Sequence, residues 1–119
     1  MGHGVRGRTH TGTLDSETAR QVAETMQALA TTSRVRILSR LREAPCSVGE
    51  LAADVGMEQS AVSHQLRLLR HLGLVAGRRY GRRIVYALHD SHVADLLDQA
   101  VFHIEHVRLG YPEPFEQVS

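Results

Sequence analysis

The stretch "LAADVGMEQSAVSHQLRLLRHLG", residues 51–73, contains two apolar stripes of helical spacing separated by a glycine. The first stripe consists of Leu51, Ala52 and Val55. The second consists of Val62, Leu66, Leu69 and Leu72. Gly56 and Gly73 follow the two stripes, where a glycine commonly ends a helix. The stretch therefore predicts a short helix, a tight turn and a longer helix, which is the pattern of a helix-turn-helix.

The outward face of the second helix carries small polar and basic side chains. We predict that it contacts DNA bases through Gln59, Ser60, Ser63, His64, Gln65 and Arg67. Serine and glutamine can donate to or accept from base edges, and arginine prefers guanine. The second helix of such a motif lies in the major groove. The alternative is an ordinary helix whose polar face is only solvated.

The next segment, "LVAGRRYGRRIVYAL" (residues 74–88), alternates apolar and polar residues on both sides of Tyr80–Gly81. This pattern predicts a β-hairpin with its turn at those two residues. Its tip carries four arginines, namely Arg78, Arg79, Arg82 and Arg83. They suit phosphate contacts or insertion into the minor groove, although arginines at a hairpin tip can also serve only solubility.

Capping residues predict two further helices upstream and the start of the short helix. Asp15 and Ser16 are candidate caps for a helix with the stripe Ala19, Val22, Met26 and Leu29. Thr32 and Ser33 are candidate caps for a helix with the stripe Val35, Leu38 and Leu41. Ser47 and Glu50 match a capping box at the start of the short helix.

The length of 119 residues and the 42% hydrophobic content fit one compact domain. Charge divides along the chain: residues 34–83 hold ten arginines against four acids, and residues 84–119 hold one arginine against six acids. A basic middle suits a polyanion, and an acidic, histidine-rich end suits cations. We expect a flexible segment at 1–14, one domain at 15–110 and a flexible tail at 111–119. No run resembles a signal peptide or membrane span, and Cys46 is alone, so we expect a cytoplasmic protein without membrane association.

The segment "HDSHVADLLDQAVFHIEH" (residues 89–106) holds four of the eight histidines in what reads as an apolar helix. At about 100° per residue, His92, His103 and His106 share one face. Eleven residues nevertheless separate His92 from His103 by roughly 16 Å, while a metal needs ligands about 2 Å away. One helix alone therefore cannot close a metal site with these residues.

Four segments of the chain resemble the ArsR/SmtB family of metal-sensing repressors: "ATTSRVRILSRL", "QSAVSHQLRLLRHLGLV", "GRRIVYAL" and "DSHVADLLDQAVFHIEH". The resemblance covers nearly the whole chain. It implies a mainly α protein with a β-hairpin wing, a winged helix-turn-helix that forms a homodimer through its terminal helices. It also implies a repressor that binds double-stranded operator DNA when metal-free and dissociates on metal binding, which derepresses metal efflux or resistance genes.

The resemblance further implies a ligand set. The motif D-x-H-x10-H-x2-H, here Asp90, His92, His103 and His106, is similar to the metal site on the family's last helix. Zinc-sensing members usually have glutamate at the last position, whereas His106 resembles the nickel- and cobalt-sensing members. Those members also begin with a Gly-His pair that supplies ligands, and "MGHG" places Gly2 and His3 there.

Two copies of the last helix, paired antiparallel, can bring the distant ligands together. Val93, Leu97, Ala100, Ile104 and Val107 form a stripe that predicts a seam with a partner helix. Asp90 and His92 of one chain then meet His103 and His106 of the other, which gives two equivalent sites by symmetry. Octahedral nickel or cobalt needs two more donors. Gly2 is small enough that Met1 should be removed in the cell, and the terminal amine of Gly2 with the His3 imidazole can then supply them. The sequence leaves open whether His10 or His89 also contributes.

Two alternatives remain at this point. One is a zinc-sensing repressor that uses only the four-ligand site. The other is a metallohydrolase, since histidine and aspartate can hold a catalytic metal, but the chain has no H-E-x-x-H motif. Thiolate-type family members carry a C-x-C pair where this chain has Ser47 and Gly49, so we interpret the neighbouring Cys46 as a small buried residue.

Overall fold

The computed structural model describes residues 12–110. It contains five helices, α1 (Ser16–Ala28), α2 (Thr32–Glu43), α3 (Val48–Val55), α4 (Gln59–His71) and α5 (Ser91–Leu109). Three strands complete this part of the chain, β1 (Cys46–Ser47), β2 (Val75–Tyr80) and β3 (Arg83–Leu88). The strands form an antiparallel sheet in the order β1-β3-β2. None of the described helices is long and apolar enough to cross a membrane.

The predicted helix-turn-helix is confirmed as α3, the turn at Gly56 and α4. Ser47 caps α3 through a complete capping box with Glu50. Gly56 adopts a left-handed conformation with φ of 69°, which is why a glycine ends this helix without strain. The inward stripes pack as expected, except that Leu72 is only half-buried at the end of α4.

The helix starts upstream differ from the prediction at one position. Asp15 caps α1 by accepting a hydrogen bond from the Thr18 amide at 2.8 Å, as predicted. The cap of α2 is Thr31, whose hydroxyl accepts from the Arg34 amide at 3.3 Å, so Thr32 and Ser33 already lie inside the helix. The spacing of apolar residues could not distinguish three neighbouring hydroxyl side chains.

The hairpin forms the wing, but its turn lies one residue later than predicted. Tyr80 pairs with Arg83, so the two-residue loop is Gly81–Arg82. Gly81 has φ of 64°, as the first position of a type II′-like turn requires. β1 joins the wing to the helical domain because Cys46 and Ser47 pair with Tyr86 and Val85.

One core lies between α2, α3, α4 and the sheet. Its fully buried large side chains are Ile37, Leu38, Leu51, Val62, Leu66, Leu69 and Val75. Cys46 is buried in the same core, as predicted. By contrast α1 buries only Ala28, and its apolar residues Val22 and Met26 remain exposed.

Candidate nucleic-acid interface and metal centre

The open face of α4, opposite the buried stripe, presents Ser60, His64 and Arg67 to solvent. These three side chains lie on the side of α4 that no other described element covers, because Val62, Leu66 and Leu69 fix the helix on the core. We call this surface the reader face.

The other three predicted base-contacting residues of α4 lie beside the reader face. Ser63 is half-buried and lines a groove between α4 and the wing. The half-buried Gln65 accepts a hydrogen bond at 2.8 Å from Arg34 Nε of α2, and Gln59 lies close to Gly49 of α3. Gln59 and Gln65 are each only about 60° from the centre of the buried stripe on a helical wheel, so the helical period places them at its flanks.

The wing exposes all four predicted arginines. Arg79 Nη1 donates to the Gly81 carbonyl across the turn at 3.3 Å. Arg83 Nη2 donates to Glu50 Oε1 of α3 at 2.7 Å. Among the described residues no acidic side chain pairs with Arg78 or Arg82, so these two cations are available for an anionic ligand.

Glu50 was predicted only as a helix cap, and its contact with the wing was missed. Its Oε1 atom accepts hydrogen bonds from the Ser47 amide at 2.9 Å and from the Ser47 hydroxyl at 3.1 Å, in addition to the bond from Arg83. The Ser47 donors, followed by the Arg83 guanidinium, lower the pKa of the Glu50 carboxyl. The carboxylate is therefore held in its charged form between α3 and the wing.

The predicted ligands at the start of α5 lie next to each other, and we call Asp90 and His92 the helix-start pair. Asp90 caps α5, and its Oδ1 accepts from the His92 amide at 2.9 Å and from the Val93 amide at 3.3 Å. Its Oδ2 lies 3.1 Å from Nδ1 of His89. The hydrogen bond from His89, together with those two amides, lowers the pKa of Asp90. The carboxylate is thus ionised near neutral pH, as a metal ligand must be.

The predicted ligands His103 and His106, the helix-end pair, lie near the end of α5. The His103 side chain is exposed. The half-buried His106 ring lies against Phe102, with ring centroids 5.3 Å apart. Eleven residues of helix separate His92 from His103, about 16 Å along the axis. Within residues 12–110 of one chain no three histidine, cysteine or acidic side chains come together as a metal site. Gly2, His3 and His10 lie outside the described residues.

The predicted seam on α5 divides into two parts. Val93 and Leu97 are buried in the core of their own chain, which corrects the expectation that the whole stripe faces a partner. Ile104 and Val107, in the second half of the stripe, are exposed. The exposed apolar surface continues across an open groove between α5, α1 and α2, which is lined by Met26, Leu29, Val35, Leu96, Leu97, Ala100 and Val101.

Two polar contacts connect α5 to α4 through α2, and neither was predicted. At one end of α2, Arg42 forms two parallel hydrogen bonds with Asp98 of α5, at 3.0 and 2.9 Å. Near its other end, Arg34 donates to Gln65 of α4. Side chains of α2 thus contact both α5 and α4.

The sequence and the fold both have clear relatives. Residues 31–76 match the family described as "Bacterial regulatory protein, arsR family". Over 111 residues the chain is 62% identical to the HTH-type transcriptional regulator NmtR of Mycobacterium tuberculosis, which covers 92% of either protein. It is 44% identical over 92 residues to the "Transcriptional repressor SmtB homolog" of Synechocystis, covering 77% of this chain and 70% of that protein.

Solved structures agree with these matches. The solution structure of apo-NmtR superposes with a TM-score of 0.71 at 60% identity, covering 94% of this chain and 95% of that one. A homodimeric winged helix-turn-helix DNA-binding domain from Mycobacterium bovis gives a TM-score of 0.73 at 30% identity, covering 87% of this chain and 97% of that one. These relatives are regulators by name, which removes the support for the metallohydrolase alternative.

Proposed function

Because the chain belongs to the ArsR family of bacterial regulatory proteins, we propose that it is a repressor that binds operator DNA as a metal-free homodimer and dissociates when nickel or cobalt binds. It is a transcriptional regulator with a winged helix-turn-helix, not an enzyme. Repression in the absence of metal makes genes for metal efflux or resistance the natural targets, and such a regulator would act in the cytoplasm.

The observation that carries the DNA-binding function is the reader face beside an arginine-rich wing. The groove shared by Ser63, Arg82 and Arg83 places α4 and the wing tip side by side. Side chains on the reader face can reach base edges in the major groove, while the wing arginines Arg78 and Arg82, which pair with no acidic side chain among the described residues, can reach phosphates or the minor groove.

The exposed apolar surface of α5 and α1 supports a homodimer. Soluble monomers rarely expose a contiguous apolar surface of this kind, and a second copy of the same surface covers it by twofold symmetry. Ile104 and Val107 would then pack in the dimer, while Val93 and Leu97 anchor the same helix to its own core.

The donors of α5 fit a divalent metal shared between chains. Imidazole and carboxylate suit nickel, cobalt and zinc, and the ionised Asp90 with the exposed His92 and His103 is accessible to an ion. The helix-start pair of one chain and the helix-end pair of the other would hold it. A metal there would link the two α5 helices and favour one arrangement of the dimer.

The coordination number separates nickel or cobalt from the zinc alternative. Four ligands from two α5 helices satisfy tetrahedral zinc, whereas octahedral nickel or cobalt takes six. We propose that the amine of Gly2 and the imidazole of His3 supply the other two.

Asp90 already accepts hydrogen bonds from two backbone amides through Oδ1, so Oδ2, beside His89, is its less occupied oxygen. This contact makes His89 a candidate for orienting Asp90.

The polar contacts of α2 offer a route from the metal to the DNA. Asp98 holds Arg42, and Arg34 near the other end of the same helix holds Gln65 of α4. A change in the angle between two α5 helices would shift α2 and with it the reader face of each chain. The α4 helices of the two chains would then no longer fit successive turns of the major groove.

The experiment that tests the site is an anaerobic titration of the metal-free protein with nickel, cobalt and zinc, followed by absorption spectroscopy. We expect one metal per chain, with the weak visible bands of six-coordinate nickel and cobalt. Replacing His103 and His106 by alanine should abolish this binding, while His64→Ala with His71→Ala, a matched pair of exposed histidines on α4, should leave it intact. Equal binding by both double variants would refute the assigned ligands.

A further inference from the structure

Glu50 connects the helix-turn-helix to the wing, and the resemblance assigns it no role. Its Oε1 atom receives Arg83 from a strand 33 residues away, and its helix position is fixed by Ser47. The contact borders the groove in which Ser63 of α4 lies beside Arg82 and Arg83. An acidic side chain here is unfavourable for binding a polyanion, so its presence among arginines needs a reason.

We infer that Glu50 is a positioning and specificity-determining residue: it holds Arg83 against α3 and withholds this cation from DNA phosphates. This inference rests on the proposed DNA-binding function. An arginine already paired with a carboxylate gains little by exchanging it for a phosphate. Arg82, which has no acidic partner among the described residues, contacts the DNA backbone instead. The contact with Glu50 thereby fixes the position of the wing relative to α3, while sequence-independent binding to DNA stays weak.

The salt dependence of DNA affinity reports the number of phosphate contacts, because each contact changes the slope of log K against log salt by about 0.9. Releasing one Arg83 in each chain of a dimer adds two contacts. We define the salt ratio as the affinity at 50 mM salt divided by the affinity at 200 mM salt. Two additional phosphate contacts increase this ratio by about 12-fold, and one contact increases it by about 3.5-fold.

Glu50→Gln is the appropriate variant. Glutamine can also complete a capping box, so the variant retains the N-terminal cap of α3 while it loses the negative charge of Glu50. The probe is a duplex of arbitrary fixed sequence, about three helical turns long so that both α4 helices of a dimer can lie on it. We expect Glu50→Gln to bind it more tightly than the wild type and with a salt ratio up to about 12-fold larger. Thermal unfolding should show no loss of structure.

A double-variant cycle identifies Arg83 as the residue through which Glu50 acts. The Glu50→Gln effect should vanish in an Arg83→Ala background and persist in an Arg82→Ala background. Arg82→Ala alone should flatten the slope more than Arg83→Ala does. An unchanged slope in Glu50→Gln, or an effect that persists without Arg83, would overturn the inference. If the wild type itself did not bind the duplex with a salt-dependent affinity, the proposed function would fail instead.

Discussion

Truncating Ile104 on α5 should weaken the dimer without unfolding the chain. The Ile104 side chain is 58% exposed in the single chain, so its own chain loses little packing when it is shortened. Burying an isoleucine side chain completely is worth about 1.5–3 kcal/mol. Covering the exposed 58% is therefore worth about 0.9–1.7 kcal/mol, and twofold symmetry doubles this to about 2–3.5 kcal/mol for the dimer.

That free energy corresponds to a change of about 30- to 400-fold in the dissociation constant of the dimer. Alanine retains the Cβ atom, so we expect Ile104→Ala to raise the constant by one to two orders of magnitude. Sedimentation equilibrium over a dilution series measures it, and circular dichroism checks that the helices remain. Tyr80→Ala is the matched control, because Tyr80 is 57% exposed on the wing, away from α5. A dissociation constant for Ile104→Ala equal to that of the wild type would refute the proposed interface.

Three further predictions concern the site and its connection to α2. A protein with alanines at the helix-start pair, mixed with one carrying alanines at the helix-end pair, should regain one metal site per heterodimer by equilibrium dialysis; no recovery after verified subunit exchange would exclude sites shared between chains. His3→Ala, or a fused N-terminal tag, should shift the nickel spectrum toward lower coordination and leave zinc affinity unchanged; an unaltered nickel spectrum would remove the N-terminus from the ligand set. Arg42 lowers the pKa of Asp98, so the stability that this pairing adds is present above the ordinary pKa of aspartate and is lost as pH falls through the lowered value. Arg42→Ala should raise the Asp98 pKa in a carboxylate NMR titration and lower the unfolding temperature at neutral pH but not in strong acid, and an unmoved pKa would show that the two side chains do not pair in solution.

Periodicity and capping chemistry predicted the order of the elements because they are local. The inward positions of α3 and α4 follow from a 3.6-residue repeat. Ser47 and Glu50, which lie within four residues of each other, indicate where α3 begins. The wing also follows from local alternation. The predicted turn was one residue too early, because arginines on both sides of it give nearly the same pattern for a turn at Tyr80–Gly81 and for the observed turn at Gly81–Arg82.

Long-range side-chain pairs could not be predicted in this way. Arg34 with Gln65 and Arg42 with Asp98 join residues 31 and 56 positions apart, and their partners are known only once α2, α4 and α5 pack. The apolar stripe on α5 predicted a covered face but did not identify what would cover it. Val93 and Leu97 turn to their own core, while Ile104 does not. The proposed metal site depends on a second chain, so the sequence suggests its ligands only through the spacing and the family resemblance.

The most direct test of the account compares DNA affinity with and without metal in one assay. A duplex selected from a random library by the metal-free protein is labelled, and its fluorescence anisotropy is followed during protein titration with a chelator or with one equivalent of nickel per chain. We predict that nickel weakens binding about 5- to 150-fold, the usual range of such coupling, and that the variant lacking the helix-end pair shows no change. Unchanged or tighter binding of the wild type in nickel would contradict a repressor that is released by its metal.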